Sequence, residues 1–263
     1  MTTHDLIIRR DHLAEHRRLI IGRSLAAAIA SAIPIPILDA RLSYMIQRGT
    51  LRQLALAHQV DIDEQAAERI IYGPSQPPRW SDLVGTTLAF KYLAKTWRKA
   101  LIAYMAARRV QVAGRYFLTA TLFDHYCSKL HHGLGLDGAS GAELRSLMDE
   151  ALAQTPGALS NRMFRRALTA AARATARAPL ELLDIASRGA LSRLISARSE
   201  ADEVAVAEEI DTQLERQLRS QKTFLARAVT AIEIQLSVDQ NPYIDELLDN
   251  FERIWHSHRE SEP

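Results

Sequence analysis

The feature that most constrains this chain is an uncharged stretch of fifteen residues, "SLAAAIASAIPIPIL", from Ser24 to Leu38. Pro34 and Pro36 lie near its end, and a proline inside a helix removes a hydrogen-bond donor and clashes with the preceding turn. Fifteen helical residues rise roughly 22 Å, whereas the hydrocarbon core of a bilayer is about 30 Å thick. The stretch therefore predicts an Ala-rich helix that turns at the prolines, and not a transmembrane helix.

Two interpretations of this predicted hairpin remain open. In the first, the alanines and serine of the stretch let two helices approach closely inside a soluble helical core. In the second, the turn is an exposed apolar tip that contacts a membrane or a protein. The tip consists of Ile33, Pro34, Ile35, Pro36, Ile37 and Leu38.

Composition favours an all-α fold, a multi-helix bundle with the Ala-rich hairpin at its N-terminus. Ala, Leu, Arg and Glu dominate, Gly (11) and Pro (9) are scarce, and alternating strand-type runs are absent. A single cysteine, Cys127, excludes an intramolecular disulfide, and the N-terminus lacks the pattern of a signal peptide. We therefore expect a cytoplasmic protein.

Turn residues divide the chain into three regions, which we expect to form one assembly. Residues 1–73 hold the hairpin region, residues 80–198 a basic helical region, and residues 199–263 acidic C-terminal helices. Capping boxes are predicted at Asp61 with Glu64 and at Ser140 with Glu143. A break is expected near Gly114. One long amphipathic helix is predicted after Ser199, with its apolar stripe running from Ile210 to Leu236.

The charge distribution suggests an anionic partner. The three segments 1–123, 124–198 and 199–263 carry net charges of +8, +3 and −9. A basic amphipathic helix with interleaved aromatics is typical of proteins that bind an anionic membrane surface, although its basic side could instead pair with the acidic C-terminal segment, or bind nucleic acid. The candidate lipid-binding residues on one side of this helix are Lys91, Lys95, Arg98, Lys99 and Arg109.

A family resemblance covers roughly residues 20–73. The segment "AAAIASAIPIPILDARLSYMIQRGTLRQLALAHQVDIDEQAAERIIYG" resembles a helical domain attached to some bacterial GTPases and found in their membrane partners, related to the EcsC-like proteins. The resemblance implies membrane association and a role as partner of a nucleotide-driven protein, and it supplies no catalytic residues. The sequence departs from the family at His58-Gln59, where a Tyr-Gly often precedes the third helix.

One cluster contains side chains of the kind that bind metals, in "DHYCSKLHH" from Asp124 to His132. On a regular helix Asp124, Cys127 or Ser128, and His131 share a face, which makes them weak candidates for a metal site or for a Ser-His-Asp triad. A fourth ligand is not evident, and capping of the helix end by the histidines explains the cluster equally well. Phosphate-binding loop motifs are absent, so no nucleotide or other cofactor is expected.

These observations predict a non-enzymatic helical protein that is associated peripherally with the inner membrane. Its expected partners are anionic lipid and a second protein, for which the resemblance suggests a GTPase. Two alternatives stay open: a nucleic-acid-binding helical protein, and a metal-dependent or hydrolytic enzyme centred on residues 124–132.

Overall fold

The computed structural model describes residues 3–30, 38–75, 98–133, 135–158, 200–220, 223–238 and 242–261. Within these ranges the chain is almost entirely helical, which confirms the predicted all-α fold. The helices are α1 (Thr3–Ala30), α2 (Leu38–Ala57), α3 (Glu64–Tyr72), α4 (Arg98–His125), α5 (Gly138–Gln154), α6 (Glu200–Arg219), α7 (Phe224–Val238) and α8 (Pro242–Ser261). The strands are β1 (Asp61–Ile62) and β2 (Gly135–Leu136), and a π-helical turn (Tyr126–Leu130) continues α4.

Helix α1 lies at the centre of the bundle and packs against α2, α4 and α7. The alanine-rich part of α1 is buried, with Ala26, Ala27, Ala28 and Ala30 at most 4% exposed. Small side chains allow close approach of helix backbones, so this part of the hairpin belongs to the protein core. No helix within the described ranges is long and apolar enough to cross a membrane.

Helices α3 and α5 form a second closely packed pair. A Cβ atom at Gly141 of α5 would lie 2.7 Å from the Cα atom of Ala66 in α3, so only glycine permits this contact. The two strands pair in parallel beside it, with Asp61 opposite Gly135. This short pairing was not predicted, because two residues in each strand leave no periodic pattern to detect.

The positions of both predicted capping residues were wrong. Asp63 and not Asp61 caps α3, with its carboxylate accepting a hydrogen bond from the backbone N–H of Ala66. Asp137 and not Ser140 caps α5, accepting from the N–H of Ser140 at 2.8 Å. In both segments the strand pairing occupies the two residues before the cap, and the helix can begin only after them.

Two predicted helix boundaries also differ from the structure. The single long helix expected after Ser199 is two helices, α6 and α7, and Thr223 accepts a hydrogen bond from the N–H of Ala226 where the second begins. Leu218 and Leu225 are seven residues apart, which is two helical turns. The apolar residues on either side of the break therefore keep the spacing of one continuous helix, and the sequence pattern does not reveal the break. Helix α4 continues through Gly114, where a break was expected.

The C-terminus of α2 carries the only non-glycine residue with positive φ in the described part of the chain, Gln59 at 59°. The N–H of Val60 donates to the carbonyl of Ala55 at 2.8 Å, and the N–H of Gln59 donates to that of Leu56 at 3.1 Å. This is the Schellman arrangement, with His58 as the last half-helical residue and Gln59 in the position that usually holds glycine. The departure from the resembling family at His58-Gln59 thus falls on a helix cap.

We expect Gln59→Gly to raise the free energy of unfolding by roughly 0.5–1 kcal/mol, since a side chain disfavours the left-handed conformation. Urea denaturation followed by circular dichroism measures the change. As a control, Leu56→Gly in the last turn of α2 should lower stability by up to about 1 kcal/mol, because Leu56 is exposed and glycine disfavours the helical conformation. A loss of stability in Gln59→Gly would contradict this account of the cap.

Arg23 of α1 is a fully buried cation. Its Nη1 lies 2.6 Å from Oδ1 of Asp211 in α6, and its Nη2 lies 3.8 Å from Oε1 of Glu215. The Asp211 side chain remains 28% exposed, so the two charges differ in their access to water. Burial raises the pKa of the Asp211 carboxyl, and the Arg23 guanidinium opposes that rise.

Removing the Asp211 carboxylate should lower the free energy of unfolding more than removing the Arg23 guanidinium does. Asp211→Ala leaves a buried guanidinium without its main partner, which should lower the free energy of unfolding by about 3 kcal/mol. Arg23→Met leaves a carboxylate that water can reach and should cost roughly 1 kcal/mol. Urea unfolding of both variants and of the double variant measures the difference. An equal or larger cost for Arg23→Met would contradict it.

Candidate metal centre

Three polar side chains from separate elements converge near the end of α4. The carboxylate of Asp124 is fully buried, and its Oδ1 lies 2.9 Å from Nδ1 of His16 and 2.8 Å from Nε2 of His58. His16 belongs to α1, and His58 is the C-terminal cap of α2. The side chains of the two histidines are 15% and 18% exposed, so the cluster extends from the core toward the surface.

Helix packing and the cap of α2 together bring these residues into contact. Helices α1 and α4 pack against each other, which places His16 beside Asp124 although 108 residues separate them. The left-handed residue Gln59 turns the chain directly after His58. The two imidazole rings then meet edge to face, with centroids 5.3 Å apart and an interplanar angle of 82°.

One of the two carboxylate oxygens of Asp124 lacks a hydrogen-bond partner among the described residues. Both imidazoles approach the same carboxylate oxygen, while Oδ2 of Asp124 is buried and has no hydrogen-bond partner among the described residues. A buried carboxylate is costly unless it is paired and hydrogen-bonded. Two imidazole N–H groups donating to Oδ1 satisfy one oxygen only. Within the described residues the arrangement therefore leaves Oδ2 without a partner, at a place where a cation could bind.

The donor atoms have a spacing that suits a metal ion. One atom from each residue lies within 4.8 Å of the others. A tetrahedral zinc ion with bonds of about 2.0–2.2 Å places its ligands about 3.3–3.6 Å apart. Oδ1 of Asp124 lies 2.9 and 2.8 Å from the two imidazole nitrogens, so these groups would have to move apart slightly around an ion. Three protein ligands leave one position for water, as in zinc sites with an open coordination position.

Only one of the three metal-ligand candidates predicted from the sequence lies in this cluster. Asp124 belongs to the cluster, whereas Cys127 and His131 do not. The prediction assumed regular helical spacing, but residues 126–130 form a π-helical turn with a hydrogen bond of 2.8 Å from the N–H of His131 to the carbonyl of Tyr126. A π-helical turn has more residues per turn than an α-helix, so it moves His131 off the face that Asp124 occupies.

Burial changes the pKa values of Cys127 and His131, which lie outside the cluster. Burial, with the nearby Asp124 charge, raises the pKa of the Cys127 thiol well above its ordinary value, so the thiolate that a metal needs is disfavoured. Burial lowers the pKa of His131, whose Nδ1 lies 3.0 Å from the Tyr126 hydroxyl. Burial also raises the pKa of that hydroxyl to about 12. The hydroxyl therefore stays protonated in its hydrogen bond with His131.

The alternative Ser-His-Asp triad does not form around Ser128. Its hydroxyl donates to the backbone carbonyl of His125 at 3.1 Å, and His125 itself lies 2.9 Å from Oε1 of Glu252 in α8. The serine is thus held by the helix backbone and not by a histidine base. Asp124 faces the histidines of α1 and α2 instead.

The predicted membrane-binding residues fall largely outside the described side chains. Ile33, Pro34, Ile35, Pro36 and Ile37 lie outside the described residues, as do Lys91 and Lys95. Leu38 begins α2, and Arg98, Lys99 and Arg109 lie on α4, but the description does not extend to their side chains.

Sequence reasoning missed His16 and His58, because their common partner Asp124 lies 108 and 66 residues away along the chain. Two signals were available: His12 precedes His16 at the i, i+4 spacing of paired helical ligands, and the unusual His58-Gln59 pair ends α2. Comparisons of the chain with protein-family models, with curated proteins and with solved structures found no match.

Proposed function

We propose that this chain is a metal-binding helical protein in which His16, His58 and Asp124 hold one divalent transition-metal ion of the zinc class. The observation that carries the proposal is the fully buried Asp124 carboxylate. Two imidazole nitrogens lie within 2.9 Å of one of its oxygens, and the other oxygen has no partner in the part of the chain that the structure describes. A cation bound between these groups compensates the buried negative charge.

The donor set selects the class of ion. Two imidazole nitrogens and one carboxylate oxygen suit zinc and its transition-metal neighbours, whereas calcium and magnesium prefer sites made of oxygen ligands alone. The ligands come from α1, the end of α2 and α4, so the ion joins three helices that pack around the core. We assign the ion a clamping role, with water as its remaining ligand.

The metal proposal predicts that the chelator-treated full chain binds one equivalent of Zn²⁺ in isothermal titration calorimetry. Asp124→Asn and His58→Ala should each weaken binding at least about tenfold, because each removes a ligand. Zn²⁺ at 100 times its dissociation constant should raise the free energy of unfolding by about 2.7 kcal/mol. Co²⁺ in place of Zn²⁺ should show the visible absorption of a four-coordinate site.

His132→Ala is the matched control, since His132 is exposed and not a member of the cluster. Asp124→Asn preserves the shape of the side chain, and its circular dichroism in chelator shows whether the fold survives. The proposal is wrong if the wild-type chain binds no transition metal, or if folded Asp124→Asn and His58→Ala bind Zn²⁺ as tightly as wild type.

A second candidate function is peripheral association with an anionic membrane, where the chain would act as an accessory to a protein partner such as a GTPase. It is supported by the packing of α1 against α2, which makes the uncharged, proline-containing segment the connection of a helical hairpin. Because Ala26 and Ala30 are buried, lipid contact by the uncharged stretch would have to come from the residues between the two helices. The net charge of +8 over residues 1–123 favours anionic lipid.

This second candidate predicts salt-sensitive co-sedimentation with anionic vesicles and none with neutral ones. The pair Ile35→Asp and Ile37→Asp should reduce binding at least tenfold, because a charge at a membrane-inserted tip is costly. Leu56→Asp is the control, since Leu56 is 77% exposed but lies on α2 away from the tip. If the wild-type chain stays in the supernatant with every lipid, the membrane function is excluded.

A further inference from the structure

A cleft on the other side of the α4 terminus is separate from the metal cluster. It lies between the π-helical turn and α8 and has a volume of about 510 Å³, within the usual range for small-molecule sites. The lining residues are His125, Lys129, Leu130, His132, Glu252, Trp255, His256 and Arg259. Asp124 and His125 are consecutive in sequence, yet Asp124 faces α1 and α2 while His125 faces α8.

The cleft is lined mainly by cationic and protonatable side chains. Lys129, His132, His256 and Arg259 are on its exposed part, and Glu252 is the one acid among the lining residues. That acid is engaged at the floor, where Oε1 of Glu252 lies 2.9 Å from Nε2 of the fully buried His125. The one acid among the lining residues is therefore hydrogen-bonded at the floor, while the exposed lining residues at the opening are cationic or protonatable.

Aromatic contacts position the cleft's arginine. The Trp255 ring packs edge to face against the buried Tyr126 ring, with centroids 5.0 Å apart and an interplanar angle of 72°. The Arg259 guanidinium lies over the same indole, 5.2 Å from its centroid. A guanidinium held on an aromatic face loses less freedom when its N–H groups bind a ligand, because its plane is already oriented.

We propose that this cleft binds a phosphate group, carried by a small phosphorylated molecule or by a lipid headgroup. An oriented guanidinium forms paired hydrogen bonds with phosphate oxygens, and the Lys129 ammonium adds a further positive charge at the opening. A single carboxylate carries too little charge and too few acceptor oxygens to engage all four cationic or protonatable side chains. A doubly charged phosphate with three terminal oxygens matches them.

Titration of the full chain with inorganic phosphate tests the site, with isothermal calorimetry and the indole N–H signals in NMR spectra as readouts. We expect saturable, salt-sensitive binding that acetate at equal ionic strength does not displace. The double variant Lys129→Gln and Arg259→Gln should bind at least about tenfold more weakly, because two charge-assisted contacts are lost. Arg219→Gln is the control, since Arg219 is 83% exposed and lies outside the cleft.

Vesicles distinguish the two sources of phosphate. The ligand is a lipid headgroup if the wild-type chain binds vesicles containing phosphatidic acid, the double variant does not, and inorganic phosphate releases the wild-type chain from the vesicles. If inorganic phosphate binds in the predicted way and the vesicles do not, the ligand is a small phosphorylated molecule. The proposal is overturned if phosphate does not bind saturably, if acetate displaces it equally, or if the double variant binds phosphate like wild type. None of these outcomes depends on metal binding.

Discussion

The buried carboxylate of Asp124 is the constraint on which the centre of this structure depends. A carboxylate with no access to water must be paired, and here its partners come from two other helices, His16 of α1 and His58 at the end of α2. Any change in how α1, α2 and α4 pack would separate these groups and leave the charge uncompensated. The same requirement explains why a histidine ends α2 beside a residue in a strained left-handed conformation.

A second buried charge ties the N-terminal helix to the acidic C-terminal region. Arg23 lies one and a half to two turns from His16 on α1, and its partners Asp211 and Glu215 belong to α6. Part of the negative charge of residues 199–263 is thus used inside the fold, as one interpretation of the charge distribution expected. Helix α1 therefore makes polar contacts to α4 through His16, to α7 through Arg18 and to α6 through Arg23, and its buried alanines lie beyond them.

The π-helical turn separates two sites that the sequence places in one cluster. The segment from Asp124 to His132 looked like a single group of ligand-type residues, but its members point in different directions. Asp124 faces α1 and α2, His125 faces Glu252 of α8, and His131 contacts Tyr126. The inserted residue of a π-helix changes which residues share a face, and no sequence signal marked it. The metal centre and the phosphate cleft are consequently distinct proposals on opposite sides of one helix end.

Much of the architecture followed from the sequence alone. Helix-forming composition determined the all-α fold, and Pro34, Pro36 and the uncharged stretch between Arg23 and Asp39 located the hairpin, since proline limits local geometry whatever surrounds it. Capping residues were predicted two or three positions off, because each helix begins directly after a strand of the pair formed by residues 61–62 and 135–136. Helix α3 therefore begins later than predicted and α5 begins earlier. Only the tertiary structure decided which histidines meet Asp124. Pairs separated by 66 and 108 residues leave no periodic trace in a sequence, and a buried charge finds its partners only when whole helices pack.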